Sequence, residues 1–522
     1  MDFSLPVYHN LAPAYAALVL TFAFYLHFSG TLSKPVCSLP LPPGPKTSWF
    51  GGVSLPKVTP WHVYAEWREI YGDIIYVRTF GNPIIILNSS KAVYDLLDKR
   101  SSIYSSRPVR TMVQELMGWS WMFSSMPYGA FWRKHRALFQ KHFHSRTSNQ
   151  YQPIQEKEAH VLLRNLHKSP DALAHHIRRS AAAVVMNISY GHHVVQEGDV
   201  YVKLADDAMT GLAKAGIFGT YLVDYIPLLK YIPAWMPGAT FKQQAREWRK
   251  STQAMINRPF EEVQQRIANG TARPCFATTE LEKWAKTGQN PEQATIIKNV
   301  AAISYAAGAD TTVSAIQSFV LAMMLYPDVQ RRAQQEIDAV TGSQRLPRFS
   351  DRSSLPFVDC VVWESLRWNP VTPLGLIHTV TTDDVYEGYR IPKGTTVLPN
   401  VWYILHDEGT YPDPMAFSPE RFQNQEKNKK AGINDLPLAA FGFGRRMCPG
   451  RYLAIDMIWI TVASVLSAYT IEKPVDKDGR VIEPDTEYTS GLLSRPKPYQ
   501  CLIQPRSSAA LALVCQTEEE SL

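Results

Sequence analysis

One loop constrains the fold of this chain more than any other segment: a glycine-rich stretch that carries a single cysteine and leads into an apolar helix. The loop covers residues 441 to 450, and an apolar helical pattern follows from Arg451 to Ala468. Cys448 therefore lies just before a helix N-terminus, where the helix dipole and free backbone N–H groups stabilise a thiolate. The glycines let the loop backbone lie close to a flat, bulky group. The segment thus predicts a thiolate beside a bound group.

The cysteine content favours a ligand over a disulfide scaffold. The chain has six cysteines in 522 residues, and no two of them have the spacing of a zinc finger or a redox pair. This usage is typical of free thiols in a reducing compartment. A lone thiolate suits axial ligation of a haem iron. The alternative is a buried structural cysteine, which is the commoner role for an isolated cysteine at a helix start.

The loop resembles the signature of the cytochrome P450 family, Phe-x-x-Gly-x-Arg-x-Cys-x-Gly. Phe441, Gly444, Arg446, Cys448 and Gly450 match every fixed position of it. The resemblance implies haem b (iron protoporphyrin IX) as cofactor, with Cys448 as the ligand of the iron. It also implies that Phe441 shields the sulfur and that Arg446 meets a haem propionate.

A second motif lies in a long apolar helical pattern from Val300 to Tyr326, in which Asp310 is the single charge. Gly308 costs the helix about 1 kcal/mol relative to alanine, a cost that close approach of the backbone to a ligand would explain. Asp310 and Thr311 place an acid beside an alcohol, a pair that can carry protons inward. An isolated pair of this kind is more often a polar kink. Here the segment resembles the family's oxygen-activation motif, which implies a catalytic role for both residues.

Two further segments resemble family motifs of structural importance. Glu364 and Arg367 lie three residues apart on one helix face, within a helical pattern that stops before Asn369-Pro370. Most such pairs are solvated surface pairs. The resemblance implies instead that Glu364, Arg367 and Arg421 form a buried network behind the haem, needed for haem retention and not for chemistry.

Three residues resemble the family's propionate partners. Trp132 and Arg136 lie four residues apart, so they share a helix face and can both reach a propionate. His378 falls where the family often places a third partner, although a lone histidine is more often structural.

The order of predicted elements indicates a mainly α (α+β) fold. A β-hairpin is predicted at 74–79 and 83–88, helical patterns dominate the middle of the chain, and short strands return at 383–400. The resemblance implies the cytochrome P450 fold, a helical bundle around haem with a small β lobe. We assign residues 47–506 to this catalytic domain and predict a disordered tail at 507–522.

The amino-terminal segment predicts a membrane anchor. No Asp, Glu, Lys or Arg occurs between Asp2 and Lys34, and the apolar stretch inside this gap approaches the length that spans a bilayer. We assign 1–10 to the lumenal side, 11–30 to a transmembrane helix and 31–46 to a proline-rich hinge. Basic residues after the span predict a cytosolic catalytic domain, on the endoplasmic reticulum membrane. A cleaved signal peptide or a buried core helix are the alternatives.

The resemblance implies a monooxygenase that takes electrons from a separate NADPH-cytochrome P450 reductase, with cytochrome b5 as a further possible donor. The chain has no dinucleotide fingerprint of its own, and it carries no nucleic-acid module, although its net charge is +7. Reductases of this kind present acidic surfaces. We therefore expect basic residues on the cysteine side to dock one, with ordinary surface charge as the alternative: Arg133, Lys134, Arg445 and Arg451.

The predicted pocket segments are apolar and aromatic, which favours a lipophilic substrate. They are 371–377, the helix around Ala307 and the loop 103–126. The overall pattern is most similar to fungal members, which suggests a terpenoid or polyketide intermediate of secondary metabolism; xenobiotic or fatty-acid oxidation are alternatives. Two other functions stay open from the sequence: a relative that rearranges peroxides without a reductase, and a membrane-anchored haem carrier or sensor.

Overall fold

The structure is a computed structural model, and it describes residue 21 and residues 39–46, 52–217, 219–423 and 436–519. The predicted lumenal segment and transmembrane anchor, except for Thr21, lie outside the described residues.

Helices form most of the described chain. Twelve of the described helices have eleven or more residues: α1 Pro60–Tyr71, α2 Ala130–Phe143, α3 Gln152–Lys168, α4 Leu173–Tyr190, α5 Val200–Gly216, α6 Thr240–Ala268, α7 Phe276–Lys286, α8 Pro291–Leu325, α9 Pro327–Thr341, α10 Pro356–Trp368, α11 Arg451–Ala468 and α12 Ser508–Glu519. Shorter α-helical turns lie at Ser90–Val93, Ser101–Tyr104, Ser145–Ser148, Leu222–Tyr225 and Val401–Leu405, and π-helical turns lie at Tyr94–Lys99 and Thr111–Leu116.

Three small sheets accompany the helices, which confirms the mainly α (α+β) prediction. The strands are β1 Ile74–Thr79, β2 Asn82–Leu87, β3 His378–Thr379, β4 Asp384–Tyr386, β5 Tyr389–Ile391, β6 Thr396–Pro399, β7 Tyr469–Glu472 and β8 Leu502–Pro505. The first sheet has the order β1-β2-β6-β3, and β4-β5 and β7-β8 form two further pairs. The predicted hairpin is present, with Thr79 opposite Asn82 across the turn.

The helix α8 runs through the middle of the helical body and packs on α4, α10 and α11. It begins cleanly because Pro291 occupies its first turn and the side chain of Asn290 accepts a hydrogen bond from the Glu292 N–H at 2.9 Å. Among the described helices, α8 and α11 are long and apolar enough to cross a membrane, but 72% and 67% of their apolar windows are buried inside the protein. Both are therefore core helices of the fold.

The prediction of a disordered tail at 507–522 was wrong for most of that segment. Residues 508 to 519 form α12, in which Val514 is 1% exposed. Arg164 of α3 donates to the Thr517 hydroxyl at 2.5 Å. The helix forms because its apolar run packs on α3 and α11, a gain that the acidic end of the sequence does not reveal.

The prediction of a hinge at 31–46 was wrong for its described part. The Pro40 carbonyl accepts a hydrogen bond from the Arg390 N–H at 2.8 Å, and the Pro43 carbonyl accepts one from the Tyr76 N–H at 2.8 Å. A Cβ on Gly44 would lie 1.8 Å from the Tyr76 oxygen, so only glycine allows this contact. Residues 39–46 are thus fixed along β1 and β5, because their extended backbone supplies carbonyls to strand edges.

Candidate active site

The cysteine loop is a tight turn ahead of α11. The Cys448 N–H donates to the Phe441 carbonyl at 2.7 Å, which closes the loop on itself. Burial raises the pKa of the Cys448 thiol, and this outweighs the lowering by the Gly450 N–H and by Arg136 and Arg451. Bonding to a metal ion would deprotonate this sulfur outright.

A contact that the sequence did not predict explains why position 444 of the signature is a glycine. Its φ is +52°, and a Cβ there would lie 2.1 Å from the Leu97 carbonyl oxygen. Contact with the backbone of the π-helical turn Tyr94–Lys99 thus requires glycine at position 444.

A cavity of about 340 Å³ lies above Cys448 and between the helices. All three predicted pocket segments reach it, through residues such as Val371, Leu376, Ala307 and Phe123. Trp119 and Trp121 of the same loop instead stack on each other inside the core, with ring centroids 5.4 Å apart. The cavity wall also includes α4, α5 and the turn around Leu492, which sequence reasoning missed because only tertiary packing brings them there.

Four arginines line this cavity without a carboxylate partner among the described residues, and three of them are here called the arginine cluster: Arg107, Arg136 and Arg446. Arg446 donates to the Ser105, Phe123 and Met126 carbonyls, and burial lowers its pKa to about 9. Burial likewise lowers the pKa of Arg136 to about 10 and that of Arg107. Buried guanidinium groups without counter-ions are unfavourable, so the cluster is suited to an anionic ligand.

Arg107 is the member of the cluster that the sequence did not reveal. It donates to the Leu376 and Ile377 carbonyls at 2.6 Å each and to the Ser124 carbonyl at 3.0 Å. These bonds use three of its five N–H groups, which leaves two for a ligand. Arg107 matches no motif in the sequence, so sequence reasoning had no signal by which to find it.

Trp132 and His378 lie beside the arginine cluster. The Trp132 ring centroid is 4.3 Å from the Arg446 guanidinium carbon, which holds that side chain in place. The His378 Nδ1 donates to the Tyr104 carbonyl at 2.8 Å, and burial holds the pKa of His378 well below its ordinary value. Because Nδ1 is used by the Tyr104 carbonyl, Nε2 is the ring nitrogen that His378 keeps for a ligand in the cavity.

Asp310 and Thr311 both line the cavity on the side of α8. An Asp310 carboxylate oxygen lies 3.0 Å from a guanidinium nitrogen of Arg178, which also contacts Asp206 of α5. The Thr311 hydroxyl donates to the Ala307 carbonyl at 2.7 Å. Asp310 is thus held by an ion pair with Arg178. The Thr311 hydroxyl donates its one hydrogen to Ala307, so its oxygen can still accept a hydrogen bond.

Gly308 faces the cavity, but its closest neighbour is a helix. A Cβ at this position would lie 2.7 Å from the Val185 Cγ1 atom of α4. The close crossing of α4 and α8 therefore explains this glycine at least as directly as the predicted approach to a ligand.

This crossing leads to a prediction about stability. We expect Gly308→Ala to lower the thermal midpoint, because overpacking costs about 1–3 kcal/mol and exceeds the helix-propensity gain of about 1 kcal/mol. In a Val185→Ala background the same substitution should raise the midpoint. A double-mutant cycle of thermal unfolding measures this, and equal effects in both backgrounds would contradict the contact.

The structure brings Glu364, Arg367 and Arg421 together. Arg367 donates to both Glu364 carboxylate oxygens at 2.8 and 2.9 Å, and Arg421 donates to one of them at 3.1 Å. Glu364 and Arg367 are 0% exposed. The Ser418 N–H also donates to Glu364, at 2.8 Å. This network ties α10 to the Pro419–Phe422 turn.

The site fits the group that the resemblance implies. Haem carries two carboxylates and an iron, and the cavity offers the arginine cluster and one free thiol, that of Cys448. No group of three or more His, Cys, Asp or Glu side chains that could hold a metal ion by itself occurs in the described ranges. Fold and site together define a helical protein that holds a carboxylate-bearing cofactor above a cysteine.

The comparisons with known proteins agree. The family model for cytochrome P450 matches residues 42–503. Cytochrome P450 monooxygenase 98 of Postia placenta is 43% identical over 503 residues, covering 95% of this chain and 96% of that protein. A cytochrome P450 monooxygenase of Armillaria gallica is 41% identical, covering 92% and 95%. Tryptamine 4-monooxygenase of Psilocybe cyanescens is 40% identical, covering 91% and 94%.

The chain therefore belongs to the cytochrome P450 family. It is an oxidoreductase that incorporates molecular oxygen, its cofactor is haem, and the three relatives named above come from fungi. A monooxygenase is favoured over the haem carrier and over the peroxide-rearranging enzyme that the sequence left open.

Proposed function

We propose that the protein oxidises a lipophilic intermediate of fungal secondary metabolism, a terpenoid or a polyketide, with electrons from an NADPH-cytochrome P450 reductase. The observation that carries this proposal is the cavity, which places Cys448 opposite an apolar wall of α4, α5 and α8 residues. Val184, Met209 and Leu212 belong to that wall, and such a surface favours apolar ligands.

The residues of the site divide the work. Cys448 would hold the iron, and the arginine cluster would bind the propionates and so orient the macrocycle in the cavity. When bound, haem supplies the activation of dioxygen, assisted by electron donation from the thiolate. Phe441 lines the same cavity as Cys448 and would shield the sulfur from water. Asp310 and Thr311 would bring protons from the α5 side toward the oxygen-binding face.

The role proposed for Asp310 leads to a second prediction. Asp310→Asn should lower product formation by about 100-fold or more, because an amide cannot hand on a proton and a positioned acid contributes at least this factor. NADPH consumption should then yield hydrogen peroxide in place of product. Asp206→Asn is the matched control, because it removes the other carboxylate on Arg178 and leaves the acid in place. Equal losses in both variants would assign the effect to Arg178.

A reductase would dock on the face that carries the cysteine loop. Arg133 and Arg445 are exposed and flank the Tyr128 ring at 5.7 and 5.4 Å, whereas Lys134 is already paired with Glu292 at 2.7 Å. Charge reversal at Arg133 and Arg445 should therefore weaken binding of an acidic partner, and reversal at Lys134 should weaken it less. Unchanged reductase affinity in all three variants would refute this docking face.

We place the protein on the endoplasmic reticulum membrane by its segment 11–30. The turn after α5 supports a membrane contact, since Tyr231 and Trp235 are 72% and 76% exposed. A smaller cavity of about 110 Å³ beside Ile217 shares Leu212 and Leu492 with the main cavity, which suggests an entry route from that surface. Deletion of residues 11–30 should release the protein from membranes washed with alkaline carbonate, which removes surface contacts; retention after this wash would reject the anchor.

The decisive experiment combines spectroscopy with product analysis. The full chain is expressed in yeast with a reductase and offered terpenoid and polyketide scaffolds, with and without NADPH. We expect a red-shifted Soret band in the reduced carbon monoxide complex and NADPH-dependent oxygenated products from at least one scaffold. A red-shifted Soret band together with products that form without NADPH would contradict the proposed reaction.

A further inference from the structure

One guanidinium in the cavity is used neither by the fold nor by the arginine cluster. Arg495 lines the cavity and is half-buried, yet its side chain has no hydrogen bond or ion pair with any residue that the structure describes. It lies near Val371, whose carbonyl accepts a hydrogen bond from the Ser494 N–H at 2.8 Å. Arg107 of the cluster contacts the other end of that segment, at Leu376 and Ile377.

The backbone around Arg495 is fixed. The Thr489 N–H donates to the Arg495 carbonyl at 2.8 Å, and the Arg495 N–H donates to the Thr489 hydroxyl at 3.2 Å. The Ser314 hydroxyl of α8 donates to the Ser494 carbonyl at 2.5 Å. Leu492 and Leu493, at the tip of the same turn, also line the cavity. The Arg495 backbone is therefore held at the cavity edge before any ligand arrives, which reduces the backbone entropy that binding costs.

The charges of the cavity wall favour an anion at this place. Asp310 is the one carboxylate among the described residues that line the cavity, and Arg178 already pairs with it at 3.0 Å. A cationic ligand would thus find no free counter-ion on the described wall. A carboxylate would find the unpaired Arg495, whose planar guanidinium matches it with two parallel hydrogen bonds.

We propose that Arg495 binds a carboxylate of the substrate, so that the preferred substrate is a lipophilic carboxylic acid whose apolar body lies against α4, α5 and α8. This inference rests on the proposed function and narrows its substrate class. Binding the acid by one end fixes which carbon lies over the haem, so Arg495 would determine specificity without taking part in the chemistry.

The test uses matched pairs of probes that differ only in charge. Dodecanoic acid and methyl dodecanoate form a linear pair, and dehydroabietic acid and its methyl ester form a tricyclic pair. The shift of the Soret band of the haem-loaded full-length protein reports binding of each. We expect the acid of at least one pair to bind more tightly than its ester, and Arg495→Gln to raise the Kd of that acid by about 10-fold while the Kd of the ester changes less than twofold.

Two control variants make the result specific. Arg495→Lys keeps the charge and should recover most of the affinity for the acid, whereas Arg480→Gln removes an exposed arginine remote from the cavity wall and should change neither Kd. Acids that bind no more tightly than their esters in either pair, or an equal loss for acid and ester in Arg495→Gln, would overturn the proposal. Failure of the proposed function is seen separately, as a missing red-shifted Soret band or missing NADPH-dependent turnover.

Discussion

Replacing Cys448 by serine is expected to abolish the red-shifted Soret band of the reduced carbon monoxide complex and to lower turnover by more than about 100-fold. Changes that only touch groups behind a metal ligand already cost 10–100-fold, and here the ligand itself is lost. A serine hydroxyl is similar in size but a far weaker electron donor than a thiolate. The Gly450 N–H, Arg136 and Arg451, which act on the sulfur in the native protein, would remain in place.

Cys515→Ser is the matched control for this substitution. Cys515 is also a free thiol, but it is exposed on α12 and lies outside the cavity. The control should keep both the spectrum and the turnover. If Cys448→Ser kept the red-shifted band, the iron would have another ligand and the assignment of the site would be wrong. If it lost the band but bound as much haem, the arginine cluster alone would suffice to retain the cofactor.

The cysteine loop shows how far the sequence could lead. Its residue types predicted a thiolate ahead of a helix, and α11 begins and ends at the predicted residues. The pKa of Cys448, however, depends on burial by neighbours from distant segments, so local pattern suggested the opposite direction. Gly444 and Gly308 were interpreted as approaches to a ligand, while each meets another part of the chain, the Leu97 backbone and the Val185 side chain.

Dependence on distant parts of the chain also explains what the sequence could not reveal about the cavity. Periodicity and motifs predicted the helices and the hairpin, because those depend on neighbours in the chain. Arg107 and Arg495 have no motif, and their meaning comes only from which charges surround them in space. The sequence predicted a disordered tail, whereas the structure has α12 there, packed on α3.

Glu364→Gln is expected to destabilise the protein by about 3–5 kcal/mol, because it leaves Arg367 and Arg421 as buried cations without their carboxylate. The measurement is the temperature at which the haem-loaded protein loses its Soret band. Glu247→Gln is the matched control: Glu247 also pairs with a cation three residues on, Lys250, but both are at least 70% exposed, so the cost should stay below about 1 kcal/mol. Equal shifts would contradict a buried network.

A double substitution tests whether apolar side chains can replace this network. Replacing both Glu364 and Arg367 by leucine removes one buried ion pair, a change that often restores stability, but it takes the Glu364 carboxylate away from Arg421. Stability should not be restored here, because Arg367 also donates to the Leu405 and Ala416 carbonyls at 2.9 and 3.1 Å, and those buried acceptors would lose their donors.

The fraction of Glu364→Gln protein that keeps haem should retain turnover per haem close to the native value. A loss of turnover per haem would show that this network also acts on the reaction.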